Sequence, residues 1–179
     1  MLETHEVFMR HLCFLLPTLL LYSFIGKGFA ESPAQKKAEG ELLALHQADR
    51  RAHFDHDING LLRNLGGELL DVRDGKINHL SREDVRKKFV EYFQSAQFTA
   101  WDDLEPPIVR VSDDGSMGWM IVRVRITYTE KESSTEKDSS GKKAVHDDTM
   151  AWMSVYEKRE GHWTMTAVTS TTGPEGLAR

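Results

Sequence analysis

Between Trp101 and Thr171 the chain alternates apolar and polar residues in runs that turn at glycine-bearing corners. This pattern restricts it to a β-meander more tightly than any other feature. Ile108 to Ser112 runs into Asp113-Asp-Gly-Ser116, and Gly118 to Lys131 alternates almost without interruption. Met150 to Arg159 then turns at Glu160-Gly161 into His162 to Thr171. Trp119, Trp152 and Trp163 each mark one of these strands, and Trp101 stands at the entry. No helix-length segment separates the later strands, which argues against a parallel α/β sheet.

Helical spacing dominates the half before the meander. Leu42, Leu45, Ala48 and Ala52 share one face from Glu41 onward, and Phe54, Ile58, Leu61, Leu62 and Leu65 continue on a shifted face. The phase slip between His53 and Asp57 predicts a kink or two abutting helices, ended by Gly66-Gly67. Asp74-Gly75 between Glu68–Arg73 and Lys76–Leu80 is a type I′ hairpin signal. Ser81, followed by Glu83 and Asp84, opens a second helix whose stripe is Val85, Phe89, Tyr92, Phe93 and Ala96. Trp101 to Pro107 is expected as the crossing into the sheet, because Pro106-Pro107 excludes helix. The fold class is therefore α+β: a curved antiparallel sheet wrapped around N-terminal helices, with a pocket between the first helix and the sheet.

The first thirty residues read as a separate targeting element. Leu12 to Ile25 is a short apolar run behind Arg10 and His11, and Gly28 and Ala30 stand at −3 and −1 of a cut before Glu31. A membrane span needs about 20 apolar residues, so residues 1–30 are expected as a cleaved signal peptide and the mature chain as secreted or periplasmic, off the membrane. The alternative is an anchor that stays uncleaved. The single cysteine, Cys13, leaves with the signal, so no disulfide is expected. Residues 31–40 read as a flexible linker, 41–172 as the domain, 130–144 as a mobile charged loop and 173–179 as a tail. A formal charge of −5 without a basic run argues against a nucleic-acid partner.

Six segments carry a family likeness: Ala52-His-Phe-Asp-His-Asp57, Val72-Arg-Asp-Gly-Lys76, Trp101-Asp-Asp-Leu-Glu-Pro-Pro107, Gly118-Trp-Met-Ile-Val-Arg-Val-Arg125, Ala151-Trp-Met153 with Tyr156-Glu-Lys-Arg159, and Gly161-His-Trp163 through Ser170-Thr171. In this order the chain resembles the nuclear transport factor 2-like superfamily, in its SnoaL-like branch, from about Glu41 to Thr171. The resemblance implies a cone-shaped domain whose first helix borders a pocket, and a homodimer formed through the outer face of the sheet. It implies no single chemistry, since this fold carries isomerases, dehydratases, cyclases and proteins without activity.

His46, Asp49, His53 and Asp57 fall at i, i+3, i+7 and i+11, on one face of the first helix, with His56 beside them. Imidazole beside carboxylate suits proton transfer near neutral pH. These four are the catalytic candidates, against the plainer alternative of a solvated face with i,i+4 ion pairs. Asp57, His53, Trp101 and Tyr92 are the expected ligand-binding residues, with Asp57 the first choice for an inward side chain. Asp71, Asp102 and Asp103 are weaker candidates for a general base. Asp102 or Asp103 is expected instead to accept backbone N–H groups at the bend.

His53 and Asp57 could share a metal ion, but no second cluster completes a ligand set, so no metal and no cofactor is expected. Neither a Gly-x-Ser-x-Gly elbow nor a phosphate-binding glycine loop is present. Within Trp119 to Thr129, Met120, Val122, Val124, Ile126 and Tyr128 form the helix-facing side. Trp119, Arg123 and Arg125 lie on the other, and with Trp152 they are the expected dimer interface. The alternative is that Arg123 and Arg125 bind an anion inside the cone. Two functions are in view: an exported domain that binds a small hydrophobic molecule or a partner, or a cofactor-free lyase or isomerase.

Overall fold

The computed structural model describes residues 31–131 and 145–173. The expected signal peptide, most of the charged loop and the end of the tail lie outside them. The first helix, α1, runs Pro33–Asp55. It therefore starts within the expected linker, eight residues before Glu41. The residues that look linker-like are a helix start: Ser32 accepts the Gln35 N–H, Gln35 returns a bond to the Ser32 N–H, and Pro33 occupies the first turn. At its other end His56 takes φ 54°, and Asp57 caps the short α2, Ile58–Leu62. The expected kink is this reversal.

Strand β1 (Leu65–Arg73) follows, so Gly66-Gly67 does not end a helix as the glycine pair predicts. A Cβ on Gly66 would meet Thr164 Cγ2 at 3.2 Å, and the pairing with the last strand shifts register between Leu65 and Leu70. The glycines serve that irregular close approach. The predicted hairpin forms with β2 (Lys76–Ser81), where Asp74 and Gly75 both have positive φ. Helix α3 (Arg82–Ser95) opens on Ser81 as expected, with Asp84 completing a capping box.

The chain then enters β3 (Ala96–Asp103) directly. Sequence alternation misses this strand because its register against β5 shifts between Phe98 and Ala100. The bulge puts both Phe98 and Trp101 on the buried face, out of a period of two. The meander is β4 (Ile108–Val111), β5 (Met117–Glu130), β6 (Val145–Arg159) and β7 (His162–Thr172). The sheet order is β2-β1-β7-β6-β5-β3, with β4 also on β5. It is mixed rather than wholly antiparallel, because β1 and β7 pair in parallel.

The core lies between the helices and one face of this sheet. Leu42 and Tyr156 pack with Met120, Val122 and Trp163 at one end, while Phe93, Phe98, Trp101, Val124 and Ile126 pack at the other. Glu41 ties the first end shut, accepting from Lys158 Nζ at 2.7 Å and Trp163 Nε1 at 2.9 Å. Removing a core leucine such as Leu42 from packing of this kind costs about 2–5 kcal/mol.

Candidate functional site

A cavity of about 540 Å³ lies between α1, α3 and the inner face of the sheet. That volume is in the range of small-molecule sites, about 300–1,000 Å³. Its wall is mostly apolar and aromatic, including Leu69, Phe89, Tyr92, Trp101, Met150 and Trp152. Polar groups enter from α1, from β1 with α3, and from β6.

Of the four helix candidates, His46, Asp49 and His53 line the cavity and Asp57 does not. The i+11 relation fails because α1 stops at Asp55, two residues too soon. Asp57 is exposed and accepts the Gly60 N–H at 2.9 Å as the α2 cap, so it is neither an inward residue nor a partner of His53. His46 is buried, and its Nε2–H donates to Asp103 Oδ1 at 2.8 Å. Arg50 bonds the other Asp103 oxygen at 3.3 Å and the Trp101 carbonyl. Asp103 thus accepts from side chains of α1 rather than from backbone at a bend, and the network clamps α1 onto β3.

His53 donates Nδ1–H to the Asp49 main-chain carbonyl at 2.7 Å, since a carbonyl can only accept. Its ring lies 4.0 Å from the Trp101 ring, centroid to centroid, with Phe89 and Phe93 at its edges. Burial pushes its pKa down to about 4, against the hydrogen bond to Asp49 and with the His46 charge adding to the depression. At neutral pH His53 is an uncharged aromatic wall. Asp49 behaves in the opposite way: burial pushes its carboxyl up to about 7, only partly countered by the Arg63 guanidinium. Among the described residues the Asp49 carboxyl makes no hydrogen bond or ion pair, so it stands half-protonated and unengaged in the cavity near neutral pH.

Two hydroxyls come from β6. Tyr156 is fully buried, and burial, reinforced by the Asp49 charge, raises its pKa so that it stays a donor. Ser154 Oγ is also buried, beside the Tyr156 hydroxyl, whose pKa it pulls back in part. These groups were missed in the sequence because a lone Ser and Tyr two apart on a strand look like ordinary core. The signal was their shared parity with Trp152, which stands opposite the inward Val122.

That same parity moves Trp152 from the expected dimer interface to the cavity wall. Trp101 and Tyr92 line the cavity. Trp119, Arg123 and Arg125 project from the opposite face, and neither arginine reaches the cavity. Arg125 pairs there with Asp147. A row of Ile108, Ile121 and Met153 crosses that outer face beside Trp119.

No protein-family model and no curated protein matches the sequence. Solved structures do. A ketosteroid isomerase-like protein from Erwinia carotovora atroseptica superposes with a TM-score of 0.58 at 14% identity, over 76% of this chain and 96% of its own. A nuclear transport factor 2-like protein from Cytophaga hutchinsonii gives 0.55 at 18% identity, over 75% and 97%. The association domain of C. elegans CaMKII gives 0.56 at 15% identity, over 79% and 100%. The chain therefore has the nuclear transport factor 2-like fold, as its strand order and motifs predict. At these identities the likeness extends to the fold, without narrowing it to the SnoaL-like branch.

Proposed function

We propose that this chain is an exported domain that binds a small, largely apolar molecule in the cavity between α1 and the sheet. The observation that carries the proposal is the cavity itself: about 540 Å³, walled by aromatic and aliphatic side chains and supplied with a few inward polar groups. Uptake of the neutral fluorophore N-phenyl-1-naphthylamine, with energy transfer from Trp152, tests it. Enhancement that disappears on filling the cavity with Val168→Trp supports the assignment, and no enhancement in the folded protein refutes it. Export is tested by the first residue of protein recovered outside the cytoplasm, Glu31 if the leader is removed and Met1 if it is not.

Self-association through the outer sheet face is part of the same proposal. Trp119, Ile121, Met153 and Ile108 form an apolar patch there, and one similar structure is named as an association domain. Light scattering at micromolar concentration should give a dimer mass that Trp119→Glu halves. A monomer of the unaltered chain refutes this part.

A catalytic reading is favoured by one observation, the unbonded Asp49 carboxyl held at about 7 beside the protonated Tyr156. In this role Asp49 removes a proton next to a carbonyl and Tyr156 holds the resulting oxyanion. Deuterium exchange at the α-carbon of a small cyclic ketone, bending near pH 7 and abolished by Asp49→Asn, tests it.

A further inference from the structure

We propose that Arg73 and Lys88 form a headgroup site at the β1–α3 side of this cavity, and that its ligand is an amphipathic carboxylate. The inference rests on the cavity being a ligand site and specifies what the ligand must carry. Asp71 is 1% exposed on the inner face of β1, in a row that crosses Val168, Ser154 and Met120. Its Oδ1 takes the Arg73 Nε–H at 3.0 Å. Its Oδ2 lies 2.9 Å from the same nitrogen and 3.9 Å from Lys88 Nζ, with no directed hydrogen bond. One buried carboxylate thus faces two cations, and Asp84, one turn before Lys88, also feels the ammonium's charge.

The hydrogen-bond donors are in surplus. Arg73 engages Asp71 through Nε alone, so among the described residues its two terminal nitrogens have no acceptor, and the Lys88 ammonium has none at hydrogen-bond distance. Both residues line the cavity and are about half-exposed, so they are reachable from water. Asp71 holds the guanidinium by its Nε edge and leaves the forked terminal edge for a carboxylate. The other cation of the cavity, Arg50, is already bonded to Asp103 and the Trp101 carbonyl. Leu69, Leu80, Val85 and Phe89 adjoin the pair and supply the apolar bed for the ligand's body.

The test is displacement of N-phenyl-1-naphthylamine from the whole chain at pH 7.5 by octanoate, 1-octanol and octylamine. Octanoate should compete at least tenfold more tightly than octanol. Arg73→Gln and Lys88→Met should each remove most of that advantage, read within each variant as the ratio of octanoate to octanol competition. Lys88→Met is the safer variant because its side chain is exposed. Equal competition by octanoate and octanol, preference for octylamine, or an advantage that survives both substitutions overturns the headgroup site while the cavity assignment stands. Failure of the unaltered protein to take up the fluorophore overturns both.

Discussion

His53 and Asp49 are joined through the backbone: the imidazole Nδ1–H donates to the Asp49 carbonyl at 2.7 Å, and the Asp49 carboxyl takes no part. Their i,i+4 spacing suggests an acid–base pair of side chains. The structure separates them into an uncharged ring and an unpaired acid, and the two titrate with opposite consequences.

For His53, the folded pKa of about 4 lies below the ordinary value of 6.5. The stability it contributes is complete above about pH 6.5 and is lost as the pH falls towards 4, by about 3 kcal/mol at most. Its imidazole resonances should stay flat from pH 8 to 5 and move only near 4. A midpoint close to 6.5 would remove the buried neutral ring from the account.

For Asp49, the folded pKa of about 7 lies above the ordinary 3.8. The unfolded chain releases this proton first, so the protein loses stability as pH rises from about 4 through 7. Asp49→Asn should match the unaltered protein near pH 4 and exceed it at pH 8 by about 2–4 kcal/mol, measured by urea unfolding. A pH-independent difference contradicts the raised carboxyl.

Asp103 is the acceptor that satisfies buried His46 and one side of Arg50. Asp103→Ala should cost about 1–3 kcal/mol, because a buried ring nitrogen loses its partner. Asp103→Asn, which keeps an oxygen in place, should cost less. Equal unfolding midpoints for Asp103→Ala and the parent would show that the clamp contributes nothing.

Gly118 of β5 lies directly beneath the Leu42 side chain of α1. A Cβ there would lie 2.7 Å from Leu42 Cδ1 and 3.2 Å from the Arg110 carbonyl oxygen. Leu42 is fully buried and has little room to move. Gly118→Ala should destabilise by about 1–3 kcal/mol. Its cost should shrink when Leu42→Ala is already present. Strict additivity of the two would mean that the methyl group meets no obstacle.

The meander, the Ser81 helix cap and the Asp74-Gly75 hairpin depend on residues near one another in the chain, and these local signals are legible without coordinates. Alternation along β5 also assigns Met120, Val122, Val124 and Ile126 to the core, because side chains on a strand point to opposite faces by geometry alone. The Ser32 capping box is equally local, although its Ser-Pro-Gln-Lys composition resembles a linker. Trp152 is harder: its inward side follows from standing opposite Val122, and register between strands is not written in one strand.

Tertiary structure decided the rest. Whether Asp57 stays on the face of His46 and Asp49 turns on where α1 ends, and left-handed His56 ends it just before Asp57. The parallel β1–β7 pair joins segments more than ninety positions apart, and with it Asp71 enters the cavity beside Arg73 and Lys88. Burial, not residue type, sends His53 and Asp49 to opposite protonation states, since desolvation penalises whichever form carries charge. Local residues determined the tryptophan-bearing strands; only their closure around α1 determined which charges face a ligand.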